Sequence, residues 1–151
     1  CSTLVSNIIG AGREDKVWSL LKRILKLSYG VVMSCALLFC IFPSAVISIY
    51  TDIPDLIPST IPSMLVMCSS YLFTVGAMVL FQAVSGTGST KAAFRLEMAA
   101  LAIYTLYCTV IVGILKLDIA ICWTAEHIYA FALLVFCYAY LRSGRWKNRR
   151  I

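Results

Sequence analysis

The chain has 151 residues, of which 61% are apolar and only 13% charged, with a mean hydropathy of +0.89 and a formal net charge of +6. Charge at about half the usual quarter, with so much apolar surface to hide, excludes a disordered chain and argues against an ordinary water-soluble enzyme. Seven cysteines with no CxxC pair, six of them inside apolar runs, do not make a disulfide scaffold.

In chain order, residues 1–9 read as the last turns of a helix, closed by the Gly10-Ala11-Gly12 break. The first residue is a cysteine, and further spans are expected ahead of it. Residues 13–26 follow as a basic amphipathic lead-in helix, with Val17, Leu20, Leu21, Ile24 and Leu25 on one face at spacings of three and four. It is expected to lie at the membrane surface and then turn into the first span. Residues 27–50 carry no charge, and at 1.5 Å per residue they cross about 30 Å of hydrocarbon. Pro43 is expected to kink that span towards its far end. After Pro54, Pro58 and Pro62 comes a second uncharged run, 63–85. A third run, 98–115, reaches span length if its helix starts near Ala92 (92–115), with Arg95 and Glu97 at its wet end. The fourth, 119–141, contains Glu126 and His127.

None of these runs alternates at period two, and backbone groups in lipid must bond internally. The expectation is therefore an all-α, polytopic membrane helical bundle forming one domain over residues 1–151. It has four full spans, the end of a preceding one and the amphipathic lead-in helix. Tyr50, Trp123 and Trp146 fall near the expected interfaces, where amphipathic rings prefer to sit.

Charge sets the expected orientation. Lysine and arginine number five before the first span, none in the first loop, two in the second, one in the third and five after the last span. Four crossings put the first, third and fifth segments on one side, which collects 12 of the 13. This predicts a multi-pass protein of the plasma membrane (the inner membrane of a bacterium) with both ends of the chain in the cytosol. The basic tail, Arg142 to Arg150, sits directly behind a span. Membrane lipids with anionic headgroups are its natural partner, and nucleic acid is not.

Few residues carry chemistry. In the second run Met64, Met67, Tyr71, Thr74 and Met78 recur at spacings of three and four. Soft thioethers and an aromatic face suit a cavity for lipophilic cations, and packing alone explains the same pattern. Ser70, Thr74 and Ala77 form a small-residue strip suited to close packing, and Gln82 an interhelical hydrogen bond. Glu126 reads as an acid at the interface bonded to a neighbouring helix, or as a group that couples proton or cation movement. His127 is rotated about 100° from Glu126 and reads as a packed residue. Glu97, among Lys91 and Arg95, reads as an acid snorkelling to the interface. Tyr104 and Tyr107 are ambiguous between packing and binding, and the six intramembrane cysteines read as small buried side chains. Gly86-Thr87-Gly88-Ser89-Thr90-Lys91 lacks the Gly-Lys-[Ser/Thr] order of a phosphate-binding loop and reads as a tight turn. Nothing suggests a metal site or an enzyme.

The motifs resemble a family. Val5-Ser-Asn-Ile-Ile-Gly-Ala-Gly-Arg-Glu-Asp-Lys-Val17 is similar to the Gly-Ala-Gly cytoplasmic loop of multidrug and toxic compound extrusion (MATE) transporters. Phe81-Gln-Ala-Val-Ser-Gly-Thr-Gly-Ser-Thr-Lys91 is similar to that family's second repeated loop. Trp123-Thr-Ala-Glu-His-Ile128, followed by an apolar run and Arg142-Ser-Gly-Arg-Trp146, is similar to its last span and tail. The resemblance implies a C-terminal lobe fragment of a twelve-span, two-lobe protein, the four runs being spans nine to twelve. It implies antiport by alternating access, exporting drugs or organic cations against inward Na+ or H+, with no cofactor. The partners implied are small lipophilic cations and the missing N-terminal lobe. Candidate pathway residues are Tyr71, Thr74, Met78, Gln82 and Glu126. The second run holds no Asp or Glu, unlike members with a coupling carboxylate there. The alternatives are a lipid-linked saccharide flippase of the same superfamily, against which stands the absence of Lys and Arg from residues 27–90, and a four-span membrane adaptor without transport activity.

Overall fold

Four helices in the computed structural model are long and apolar enough to cross a membrane: Glu14–Ile41, Leu56–Gly86, Thr90–Ile114 and Ile119–Arg142. The structure describes residues 1–51 and 53–147, and no strand occurs among them. Asp52 in the first loop and Arg149 and Arg150 in the basic tail lie outside the described residues.

Helix α1 (Ser2–Gly10) ends where Gly12 takes φ +67. From there the Gly12 N–H bonds the Ile9 carbonyl at 2.9 Å and the Arg13 N–H bonds the Ile8 carbonyl at 3.0 Å. That pair satisfies two helix-end carbonyls, and a side chain at Gly12 would strain the turn. One turn of 3₁₀ helix, Glu14–Lys16, then runs straight into α2 (Val17–Ile41). The lead-in segment is thus helical, but it does not lie apart and turn into the span as its charge pattern suggested. No proline stands between Val17 and Ile41, and a propagating helix stops only at a breaker. Lys22, Arg23 and Lys26 are exposed on the same rod as the apolar half.

Pro43 breaks the helix outright. Its ring disfavours the α region for the residue before it, and Phe42 sits at φ −121, ψ 54. Pro43 then opens the short helix α3 (Pro43–Ile47) at the first helical position, where a missing N–H costs nothing. Helix α4 (Leu56–Gly86) starts seven residues before the expected 63 because it absorbs two prolines. Pro58 falls in the first turn, whose N–H groups are free in any case. Pro62 lies inside, and near it the Ser59 and Thr60 hydroxyls bond the Leu56 carbonyl at 2.9 and 2.7 Å.

Helix α5 (Thr90–Cys108) passes into a π-helical turn at Thr109–Ile114 that the sequence pattern did not announce. The fourth run is also divided. A short α6 (Ile119–Cys122) precedes α7 (Ala125–Arg142), and between them the Glu126 and His127 N–H groups reach back only three residues, to Trp123 and Thr124.

Side-chain pairs give the helix directions. Ser69 meets His127, Phe73 meets Phe131 and Gly76 meets Leu134, so α4 and α7 run parallel. Tyr29 reaches Leu72 on α4, and Glu97 and Tyr107 on α5 reach Tyr129 and Thr124 on α7. Cys1 contacts Val79, and Ser6 bonds Gly86, which sets α1 parallel to α4. Consequently α1, α4 and α7 finish where α2 and α5 begin. That basic end carries Arg13, Lys16, Lys91, Arg95, Arg142, Arg145 and Lys147, while Lys116 lies at the far end.

The core also sits at the basic end. Val5, Ile9, Val17, Leu21, Ala83, Val84, Leu133 and Leu141 pack there with Ala93 of α5. Trp146 joins them, only 1% exposed, with its indole N–H 2.8 Å from the Leu141 carbonyl. It is a core residue, not the interfacial ring expected, because a turn after α7 folds the tail back over the helix ends. Ser70 and Ala77 of the small-residue strip are buried. Of the cysteines, Cys68 and Cys137 are buried, but Cys35 and Cys40 are exposed on α2. In lipid nothing drives an apolar side chain inward, and Leu27, Leu37 and Leu38 of α2 are exposed as well.

Candidate functional site

Where the basic end is packed, the far end opens. A cleft of about 390 Å³ lies in the elbow between α2, α3 and the first half of α4, closed on one side by Trp123. The Pro43 break makes this elbow, since it lets α3 fold against α4 instead of prolonging α2. Rings from Phe39, Tyr50, Tyr71 and Trp123 line the cleft with the thioethers of Met64 and Met67. Val46 and Ile47 complete the apolar wall, and Thr60 and Ser63 supply hydroxyls. No charged side chain is among the described residues that line it. Such a surface attracts a lipophilic cation by dispersion and by the negative faces of the rings, without needing a buried counter-charge.

The residues singled out in the second run part company here. Tyr71 lines the cleft with Met64 and Met67. Thr74, the next turn along, turns its hydroxyl back onto the Ser70 carbonyl at 3.0 Å. Met78 is 41% exposed on the surface of α4, and Gln82 is exposed nearer the basic end. Neither lines the cleft. Glu126 sits half-buried in the first turn of α7. The partial positive charge of a helix N-terminus stabilises a carboxylate at that position.

A second polar seam joins α7 to its neighbours. Across α4 and α7 the Ser69 hydroxyl and His127 Nε2 are 2.8 Å apart, with the Phe73 ring edge-on to the imidazole at 6.3 Å. His127 Nδ1 is buried without a hydrogen-bond partner among the described residues. Across α5 and α7 the Tyr129 hydroxyl donates to Glu97 Oε1. Tyr104 stands edge-on to Tyr129 at 5.9 Å, and the Tyr107 and Thr124 hydroxyls are 2.8 Å apart. Glu97 is therefore a bonded acid inside the bundle, not a side chain snorkelling beside Lys91 and Arg95. A carboxylate that finds a donor on the next helix has no need of the interface. The signal was present in the spacing: residues 97 and 104 lie seven apart on one face of α5. Among the described residues no three His, Cys, Asp or Glu side chains gather to hold a metal ion.

A family model described as MatE matches residues 1–111. That stretch takes in both glycine turns, the cleft-forming half of α4 and the α5 side of the Glu97 seam. No curated protein and no solved structure matches the chain.

Proposed function

The chain belongs to the MatE family, a family of membrane transporters, and from that premise we propose that it serves secondary antiport, exporting lipophilic organic cations in exchange for Na+ or H+. The far-end cleft carries this reading: four rings and two thioethers around about 390 Å³, with no charge among the described residues that line it. A cavity without Lys or Arg suits a cation and gives a pyrophosphate nothing to hold. Tyr71, Met64 and Met67 contact the substrate, and Tyr50 and Trp123 close over it. Glu97 and Glu126 are the acids within reach of the helix bundle for the coupling ion, and of these Glu126 serves chiefly as a helix-end acid. Alternating access brings the cleft to each side in turn, by rocking of packed helices against a partner lobe. The basic end faces the cytosol, since by sequence the first, third and fifth segments hold 12 of the 13 basic residues.

The test is dye retention. Cells making the full-length protein are expected to accumulate less ethidium than cells without it. Tyr71→Ala is expected to restore accumulation at unchanged membrane level of the protein, by about tenfold weaker cation–π and dispersion contact. Unchanged retention on overproduction of folded, inserted protein overturns drug export. Full export by Tyr71→Ala overturns the placing of substrate in this cleft.

A further inference from the structure

At the basic end a second cavity, of about 350 Å³, lies between α5 and the tail after α7. Its lining is cationic: Lys91 and Arg95 from α5 and Arg145 from the tail, with Tyr140 beside them. No carboxylate is among the described residues that line it. Lys91 and Arg95 stand four residues apart, so their like charges share one helix face and repel. The backbone that carries Arg145 is held in place. Gly144, at φ +68, turns the chain back after α7, and Trp146 anchors the next position in the core. The Lys147 N–H closes this turn on the Gly144 carbonyl at 3.0 Å. The fold thus lines one cavity with three cations, an arrangement that an anion between them relieves.

We propose that this cavity binds the phosphate of an anionic membrane lipid through Lys91, Arg95 and Arg145. The depth and the neighbours favour a lipid over a free anion. Arg95 lies five residues past the start of α5, about 7.5 Å along the helix. That is close to the thickness of one headgroup layer, about 5–7 Å. Phe94 and Met98, flanking Arg95 on α5, are 66% and 48% exposed, and they offer acyl chains a surface that inorganic phosphate would leave unused. Basic pockets between membrane helices take lipid headgroups in this way. The inference rests on the transmembrane placement of α5 and not on the identity of the exported substrate.

Lipid binding to the purified full-length protein, read by native mass spectrometry, tests it. Phosphatidylglycerol is titrated against phosphatidylcholine, with inorganic phosphate as competitor. Lys91→Gln, Arg95→Gln and Arg145→Gln are each expected to weaken phosphatidylglycerol binding on the order of fivefold. These side chains are exposed, so the fold survives their loss. Arg13→Gln removes the same charge at the same end, away from the cavity, and is expected to change nothing. Phosphatidylcholine binding is expected to be weak and insensitive to all four. Equal loss with Arg13→Gln and Arg145→Gln, or no loss with Arg145→Gln, overturns the site. Displacement of the lipid by equimolar inorganic phosphate overturns the lipid assignment.

Discussion

Replacing Gly86 with alanine tests how tightly α1 grips α4. A Cβ at this position would stand 2.5 Å from the Ser2 carbonyl oxygen, 2.9 Å from Val5 Cβ and 3.1 Å from Ser2 Cα. Two of these neighbours are backbone, so no rotamer change relieves the contact and α1 itself must move away. That movement draws the Ser6 hydroxyl off the Gly86 carbonyl, now 2.8 Å away, and uncovers Val5, which is fully buried. Overpacking of this kind costs about 1–3 kcal/mol. The lost hydrogen bond adds about 0.5–1.5 kcal/mol. Alanine's better helix propensity returns at most about 1 kcal/mol. The balance is a destabilisation of about 1–3 kcal/mol. Gly30→Ala is the internal reference, because it too changes a helical glycine but its Cβ meets nothing within 4 Å. Thermal unfolding of both variants in the same detergent, followed by circular dichroism, makes the comparison. Ser6→Ala run alongside isolates the hydrogen bond. If Gly86→Ala melts with or above the unchanged protein, α1 does not pack as argued and the core at the basic end has been misread.

Other substitutions probe the remaining features. Tyr129→Phe leaves Glu97 one donor short and is expected to lower stability by about 1.5–3 kcal/mol; an unchanged melting profile would mean that Glu97 is held by something else. Pro43→Ala permits α2 to continue through Phe42, so spin labels at residues 39 and 50 are expected to approach the roughly 16 Å of a continuous helix. The elbow would then open, and ethidium binding should weaken with it; an unaltered label distance refutes the role given to the proline. Glu126→Gln is expected to leave export largely intact, with a stability change below about 1 kcal/mol, whereas an inserted, well-expressed but inactive variant would make Glu126 a coupling residue.

Run lengths and charge distribution were legible in the sequence because lipid imposes them on any chain that crosses it. Four helices are long and apolar enough to cross a membrane, as the run lengths predict, but the first covers Glu14–Ile41 where the uncharged run is 27–50. The helix ends depended on details that composition does not carry. Pro58 and Pro62 look like a boundary, yet Pro58 falls in the first turn, where a proline removes nothing, and α4 carries Pro62 in its interior. Pro43 predicts a kink, and the structure shows a full break, because the restriction falls on Phe42 and separates two helices. The π turn at Thr109–Ile114 follows from how one helix seats on others, which no local pattern states. The same holds for Glu97: its neighbours in sequence are Lys91 and Arg95, while its partner in space is Tyr129, 32 residues away. Trp146 misled for a related reason. An aromatic residue just past a span usually rests at the membrane surface, but here the turn at Gly144 brings it home to the core. In the cleft, the methionine–tyrosine periodicity picked out Tyr71, Met64 and Met67 and carried on too far, to Thr74 and Met78, because a helix face is longer than the elbow it lines.

The uneven packing along the bundle has a mechanical result. Gripped at one end by Leu21, Val84, Leu133 and Trp146 and separated by the cleft at the other, α2 and α4 behave like tongs with a stiff fulcrum. A point about 20 residues from the fulcrum is roughly 30 Å away, so a tilt of about 5° there displaces the jaws by roughly 2–3 Å while hardly disturbing the pivot. Small rearrangements near Gly86 would thus be magnified at Tyr71, and a substitution remote from the cargo would change how wide the mouth stands.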